Sequence, residues 1–164
     1  MQGRNAFALS GVQEGRESLR VERGLLQDLA RRFLKRIARR VDYAWGTVYY
    51  LNREKGVLEP LAHRGEELDF IRSFSFSFGP GLSAWIAEQK KPITLRNIHH
   101  GRRHRHHPVR AFASFPILAG TVSFGTLTLG HSDPRAFNDE QCAYLERATR
   151  RFGKTLLDLV YPTL

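Results

Sequence analysis

The sequence has almost no cysteine and no long hydrophobic run. Cys142 is the single cysteine among 164 residues, so the chain alone cannot form an internal disulfide, a CxxC redox pair or a thiolate zinc site. No apolar run approaches the ~18 residues that a membrane span requires. The first residues also lack the basic head and apolar stretch of a signal peptide. We therefore expect a cytoplasmic protein with no membrane partner.

The residue patterns of common enzymes are missing too. The sequence has no GxxxxGK phosphate loop, no nucleophile with a neighbouring base and no paired carboxylates. We expect no catalytic residues and no enzymatic activity.

Positive charge is abundant and unevenly distributed. Lysine and arginine number 26 against 16 acidic residues, which gives a net charge of +10, and 21 of the 26 are arginines. One basic block spans residues 31–40, and a second spans residues 90–110, where no acidic residue occurs. Such blocks suit an anionic partner, but they are equally compatible with a solvated basic surface.

The length and composition predict one folded domain. Hydrophobic residues make up 41% of the chain and charged residues 26%, a mixture that can bury an apolar core. We expect a poorly ordered leader over residues 1–12 and a single domain over residues 13–164.

Hydrophobic periodicity predicts a helix at each end of this domain. The first runs from about residue 14 to 41, where apolar residues recur every three or four positions: Leu26, Leu29, Phe33 and Ile37. The second begins with a capping box formed by Asn138 and Gln141 and extends to about residue 160. Gly153 lies inside it and should weaken it by about 1 kcal/mol relative to alanine.

Strand patterns fill the region between the helices. Two hairpins are predicted, one joining residues 45–51 to 57–63 and the other joining 112–118 to 122–129. A brief strand is expected at 93–95, and the alternating SFSFSF of residues 73–78 is typical of a half-buried strand. A glycine turn at 79–81 opens a short helix whose inner face carries Leu82, Trp85 and Ile86. This order of elements predicts an α+β fold with an antiparallel sheet.

An irregular segment rich in histidine and arginine follows the brief strand. Five histidines lie within nine positions: His99, His100, His104, His106 and His107. That imidazole density could hold a transition metal, but four neighbouring arginines would repel a divalent cation. We therefore expect a solvated loop and no metal site.

Several stretches together resemble the GAF domain family. They are FGPGLSAWIAEQKKPITLRNI at residues 78–98, ASFPIL at 113–118, GTLTLG at 125–130 and PRAFNDEQCAYLERATRRFG at 134–153. The resemblance covers roughly residues 20–160. It implies a six-stranded antiparallel sheet with the terminal helices packed on one face and a small-molecule pocket on the other, under a loop formed by residues 97–113.

The resemblance also implies a function and a set of contacts. GAF domains mostly act as regulatory sensors, so we expect a sensory domain of a signal-transduction or transcription-regulating protein. The expected ligand contacts follow the family pattern: Phe76, Phe78, Trp85, Asn97, His99, His100, Phe112 and Phe115. The nearby arginines and histidines favour an anionic ligand, and a homodimer is expected through residues 19–41 and 140–160.

The sequence departs from the motifs of several GAF subtypes, which argues against the ligands of those subtypes. Gly130 and His131 stand where cyclic-nucleotide-binding members carry an Asn-Lys pair, and Cys142 lies outside the region of the cysteines that sulfoxide reduction or bilin attachment requires. The ligand therefore stays unidentified. The alternative hypothesis is a ligand-free dimerisation or docking module whose basic blocks meet nucleic acid or an acidic partner, although no DNA-reading helix-turn-helix is apparent.

Overall fold

The computed structural model describes residues 22–65, 85–99 and 109–161. Residues 22–37 form helix α1, and strands β1 (Trp45–Asn52) and β2 (Val57–Gly65) follow. Residues 85–89 form the short helix α2. Strands β3 (Ile93–Leu95), β4 (Ala111–Ala119) and β5 (Val122–His131) then lead to helix α3 (Asp139–Val160).

The described strands form one antiparallel sheet in the order β2-β1-β5-β4-β3. Both predicted hairpins and the brief strand are confirmed at nearly their predicted positions. Five strands are present in the described residues, and the SFSFSF stretch predicted as a further strand lies outside them. The central position of β5, between β1 and β4, makes its two faces the best buried in the sheet, with residues 123–130 all buried.

The two long helices cover one face of the sheet. Phe33 of α1 stacks on Phe152 of α3 with ring centroids 4.3 Å apart and planes 3° from parallel. Beneath them lies an apolar core to which β4 contributes alternate residues: Ala111, Ala113, Phe115, Ile117 and Ala119. The packing is so close at Gly153 that an added Cβ would lie 2.2 Å from the Leu118 carbonyl oxygen. The glycine that weakens α3 by propensity therefore allows the helix to approach the sheet.

The start of α3 has the predicted capping box. The Asn138 side chain accepts a hydrogen bond from the Gln141 backbone N–H, while the Gln141 side chain accepts one from the Asn138 N–H. Phe137, just before the cap, is fully buried and has a positive φ of 62°. This left-handed conformation is unusual for an aromatic residue, so the packing of Phe137 holds the chain in a sharp bend before the helix.

Two local predictions differ from the structure. Helix α1 ends at residue 37 instead of 41, because the next residues form a tighter turn with an Arg40 N–H to Ile37 carbonyl bond of 2.9 Å. On α2, Ile86 is buried but Trp85 is 44% exposed. Neighbouring helical residues point about 100° apart, so Trp85 turns away from the face that Ile86 and Ala87 bury. None of the described helices is both long enough and apolar enough to span a membrane.

Candidate functional site

The sheet face opposite the long helices carries buried hydroxyl groups. Of the six buried polar side chains in the described residues, Thr149 lies on α3. The other five alternate with core residues along the strands and so point to the opposite face. They are Thr47, Ser114, Ser123, Thr126 and Thr128. One side of the sheet is thus an apolar core, whereas the other is lined by hydroxyls.

Three of these hydroxyls form a row across the middle of the sheet. The strand register places Thr47 beside Thr128 and Thr128 beside Ser114. The Ser114 Oγ and Thr128 Oγ1 atoms are hydrogen-bonded at 2.9 Å, and Thr47 Oγ1 lies 2.9 Å from Nδ1 of His63 on β2. The row therefore runs from the exposed edge at His63 to the fully buried Ser114.

Two further hydroxyls on this face have no hydrogen-bond partner within the described part of the chain. Thr126 Oγ1 and Ser123 Oγ are both buried, and the Thr126 side chain is completely shielded from solvent. A buried hydroxyl without a partner costs about 1–3 kcal/mol. Native proteins usually avoid that cost, so an unpartnered hydroxyl here indicates a place where a hydrogen-bonding group belongs.

Tyr49 adds a phenol to the same region. The register places it beside Thr126 on the neighbouring strand. Burial raises the pKa of Tyr49, and a hydrogen bond with Thr47 opposes that change. The phenol therefore remains neutral at physiological pH and can both donate and accept hydrogen bonds.

One end of this face is apolar. Trp45, Val109 and Phe112 form a buried cluster against which Leu95 and Ile98 pack. The Trp45 ring lies so close to Gly130 that an added Cβ would be 2.5 Å from its Nε1 atom. The face therefore offers an aromatic wall beside a row of hydroxyls, a combination typical of small-molecule sites.

The segment that follows β3 is tied to the loop before α3. The Asn97 N–H donates to the Pro134 carbonyl at 2.9 Å, and the Ile98 N–H donates to the Arg110 carbonyl at 2.9 Å. The Arg110 N–H in turn donates to the His131 carbonyl at 2.8 Å. Both described ends of the histidine-rich segment are thus fixed to the end of β5 and the loop after it.

Arg96 connects this segment directly to the start of α3. Its Nε donates to the Phe137 carbonyl at 2.7 Å, and its Nη2 donates to Asp139 Oδ1 at 2.8 Å. The same Nη2 lies 3.8 Å from Cys142 Sγ. The hydrogen bonds to Asp139 and Cys142 raise the pKa of Arg96, so the guanidinium is a permanent cation that links two parts of the chain.

The structure separates the site residues expected from the sequence. Phe112 lies on the hydroxyl-lined face, but Phe115, three positions along the same strand, is buried in the helix-side core. Asn97 and His99 are exposed beside that face, and Trp85 is exposed on α2. Phe76, Phe78 and His100 lie outside the described residues. No group of three or more potential metal ligands occurs in residues 22–65, 85–99 and 109–161.

The buried hydroxyls themselves were not among the expected site residues. Their signal was present in the sequence, because small polar residues alternate with apolar ones in Val122–His131. Alternation alone is also the pattern of a strand with one solvated face. Only the burial of both faces distinguishes a hydroxyl-lined interior from a wet surface.

Comparisons with known proteins agree with this architecture. A family model described as a GAF domain matches residues 25–155. No curated protein matches the chain. Among solved structures, a type II free methionine-R-sulfoxide reductase from Thermoplasma acidophilum superposes with a TM-score of 0.60 at 15% identity, covering 85% of this chain and 94% of that one.

Two further solved structures have the same fold. A GAF domain/HD domain protein from Geobacter sulfurreducens gives a TM-score of 0.61 at 14% identity, over 84% of this chain and 97% of that one. The photoproduct state of a GAF domain from Synechocystis gives 0.60 at 13% identity, over 84% and 99%. At these identities the likeness concerns the fold alone.

Proposed function

The chain belongs to the GAF domain family, whose members are generally sensory or regulatory parts of signalling proteins, and we propose that it binds a small molecule on the hydroxyl-lined face of its sheet. Binding would be reported through α1 and α3 to another part of a signal-transduction or transcription-regulating protein in the cytoplasm. The observation that carries this proposal is the completely buried Thr126 hydroxyl, which has no partner in the described residues.

The chemistry of the face indicates what the ligand would offer. Thr126 and Tyr49 would bond to hydroxyl, carbonyl or amide groups of the ligand, while Trp45 and Phe112 would contact its apolar part. The described floor of the site carries hydroxyls and no charged side chain. The preference for an anionic ligand therefore rests on the arginines and histidines of residues 99–110, which would face a carboxylate or phosphate group.

Arg96 offers the route by which occupancy would reach α3. A ligand that shifts the segment after β3 would shift Arg96 with it, and Arg96 bonds to the Phe137 carbonyl and to Asp139 in the first turn of α3. The positive φ of Phe137 makes that bend a strained element. Ligand binding would need to favour one arrangement of the bend over another for a signal to pass.

We also propose that the domain forms a homodimer through its terminal helices. The exposed apolar residues of α1 and α3 lie at one end of the helix pair. Because the helices are antiparallel, Leu25 is at nearly the same height along the helix axes as Leu159 and Val160. A second copy could bury these side chains and extend the helices. The rest of the outer helix surface is strongly basic and unsuited to meeting its own copy.

The domain is further proposed to be non-catalytic. Cys142 is on the helix side of the sheet, where its Sγ donates to the Phe137 carbonyl at 3.2 Å and lies 3.5 Å from Thr94 Oγ1. A thiol held there is separated by the sheet from the hydroxyl-lined face. The likeness to a sulfoxide reductase therefore concerns the scaffold and not this cysteine.

Native mass spectrometry of the protein purified from its own host tests the proposal first. We expect a retained small molecule with a defined mass, which can then be identified and added back to ligand-free protein. At a concentration 100-fold above its Kd it should stabilise the fold by ~2.7 kcal/mol, which corresponds to a Tm increase of roughly 5–11 °C.

Threonine-to-valine variants locate the binding face. Thr126→Val should weaken binding by roughly 3- to 10-fold, because one hydrogen bond to the ligand is lost. Thr149→Val is the matched control, since Thr149 is equally buried but lies on α3. Binding at this face is contradicted if Thr126→Val and Thr149→Val bind the added compound with equal affinity. It is also contradicted if neither the unmodified chain nor the variants retain a compound.

A further inference from the structure

The outer surface of the α1–α3 layer carries a dense group of positive charges. The basic block of residues 31–40 lies on α1 and on the turn that follows it, and within this block only Arg31 is neutralised by an ion pair, with Asp28. Helix α3 carries a second series in which only Arg150 is paired, with Glu146 at 2.9 Å. Eight exposed cations have no ion pair within the described part of the chain: Arg32, Lys35, Arg36, Arg39, Arg40, Arg147, Arg151 and Lys154.

The tertiary structure joins these two series into one surface. Phe33 stacks on Phe152, and Arg40 lies over the Tyr144 ring with its Cζ 6.0 Å from the ring centroid. Residue numbers rise along α1 as they fall along α3, so the two helices are antiparallel neighbours. On the helices the unpaired cations recur at steps of three or four residues, which places them on one outward face. Arg39 and Arg40 follow in the turn after α1. Sequence alone does not bring the 31–40 block together with residues 147–154.

The size of the surface suits a polyanion. The α3 series from Arg147 to Lys154 spans about 10 Å, and the neighbouring helix axis lies about 8–10 Å away. Duplex nucleic acid carries about one charge per 3.4 Å along each strand, so ~10 Å of duplex presents about three phosphates on each strand. Eight cations are enough to neutralise those that face the surface. The acidic residues Glu140 and Asp158 lie beyond Arg147 and Lys154 along α3, and Glu146, which lies within the surface, is paired with Arg150.

We infer that this surface binds the phosphate backbone of duplex nucleic acid. Six of its eight cations are arginines, whose planar guanidinium groups match phosphate oxygens. An anionic membrane fits less well, because no large apolar side chain is exposed among residues 32–40 and 147–154, and Leu25, Leu159 and Val160 lie only at one end of the helix pair. A single strand fits less well, because the surface has no free aromatic side chain for base stacking and Tyr144 is covered by Arg40.

The inference does not depend on a ligand at the hydroxyl-lined face. Binding of this kind reads the backbone and not the base sequence, so it requires no recognition helix. It would hold the sensory domain on nucleic acid while another part of a larger protein supplies sequence specificity. Two copies could not bring these surfaces together, because like charges would repel.

Fluorescence anisotropy with a labelled 20-base-pair DNA duplex of arbitrary sequence tests this surface. For the whole chain, we expect log affinity to fall with log salt with a slope of about −5, which is a loss of roughly 1000-fold between 50 and 200 mM salt. Unlabelled single strands of the same length should compete less well than the duplex. A chain that does not bind the duplex at 50 mM salt refutes the inference.

Charge-reversal pairs locate the contact. Arg36→Glu/Arg151→Glu changes one residue on each helix and should make the salt slope shallower by about 2 while weakening binding at least tenfold at 100 mM salt. Lys91→Glu/Arg135→Glu has the same change in net charge at exposed residues outside the helix layer and should weaken binding less than threefold. All four positions are exposed, and unchanged thermal unfolding will verify that both pairs fold.

Three other outcomes overturn the inference. Equal weakening by both pairs would mean that net charge alone drives binding. Loss of binding in Arg102→Glu/Arg103→Glu, with the helix-layer pair unaffected, would place the contact in the other basic block. The third outcome is that the chain binds vesicles containing 30% phosphatidylserine but does not bind the duplex. If Arg36→Glu/Arg151→Glu abolishes that vesicle binding, the surface is a membrane contact.

Discussion

Replacing Thr126 by valine should make the ligand-free protein more stable. The change removes one hydroxyl and keeps the β-branched shape, and that hydroxyl is completely buried without a partner in the described residues. Since an unpartnered buried hydroxyl costs about 1–3 kcal/mol, we expect the free energy of unfolding to rise by about 1–2 kcal/mol. For a chain of this length the Tm should increase by roughly 2–8 °C.

Thr128→Val is the matched comparison two residues along the same strand and on the same face. Its hydroxyl is hydrogen-bonded to Ser114 Oγ at 2.9 Å, so its removal leaves a buried serine hydroxyl unpaired and should cost about 1–3 kcal/mol. Urea denaturation of the two variants measures both changes. Opposite signs are expected, and destabilisation of Thr126→Val to the same extent as Thr128→Val would refute the view that the Thr126 hydroxyl awaits a ligand.

Three further predictions concern the framework around the site. Gly153→Ala should destabilise the fold by about 1–3 kcal/mol despite the better helix propensity of alanine, because the Cβ would lie 2.2 Å from a β4 carbonyl oxygen. Gly24→Ala is the control: no atom lies within 4 Å of its Cβ, so it should stabilise the fold by up to ~1 kcal/mol. Burial raises the pKa of Tyr43 to about 12, so the folded state holds this proton more tightly than the unfolded state and stability should fall as pH rises from 10 to 12. Alkaline denaturation will record that fall, and Tyr43→Phe should reduce it. Arg96→Ala should lower the free energy of unfolding by about 1 kcal/mol, because its hydrogen bond to the Phe137 carbonyl is lost. Asp139→Asn should change it by less than ~0.5 kcal/mol, because the Asp139 side chain is 97% exposed. Urea titrations measure both changes.

The strands and the last helix could be predicted because their signals are local. Alternating residues, turn glycines and a capping box act within a few positions of the chain, and the structure has both hairpins and the cap where those signals lie. The end of α1 could not be placed as well. No glycine or proline marks it, and the turn at residues 38–40 is formed by backbone bonds that depend on where the chain must enter β1.

The candidate site was predicted less well than the fold. The aromatic residues Phe112 and Phe115 both looked suited to a pocket, yet an odd spacing along a strand sends them to opposite faces of the sheet. The sequence does not say which face the helices cover. The five buried hydroxyls gain their meaning only when both faces of β5 are known to be shielded from water.

The α+β layout could be predicted from local signals, because periodicity and turn residues concern near neighbours in the chain, and the resemblance to the GAF family came from short motifs. Only the folded chain shows which sheet face is apolar and which is lined with hydroxyls, and only there do two distant basic series form one charged surface. The physical reason is the same in both cases. Burial and electrostatic potential are sums over residues that are close in space, and the fold, not the order of the chain, sets which residues those are.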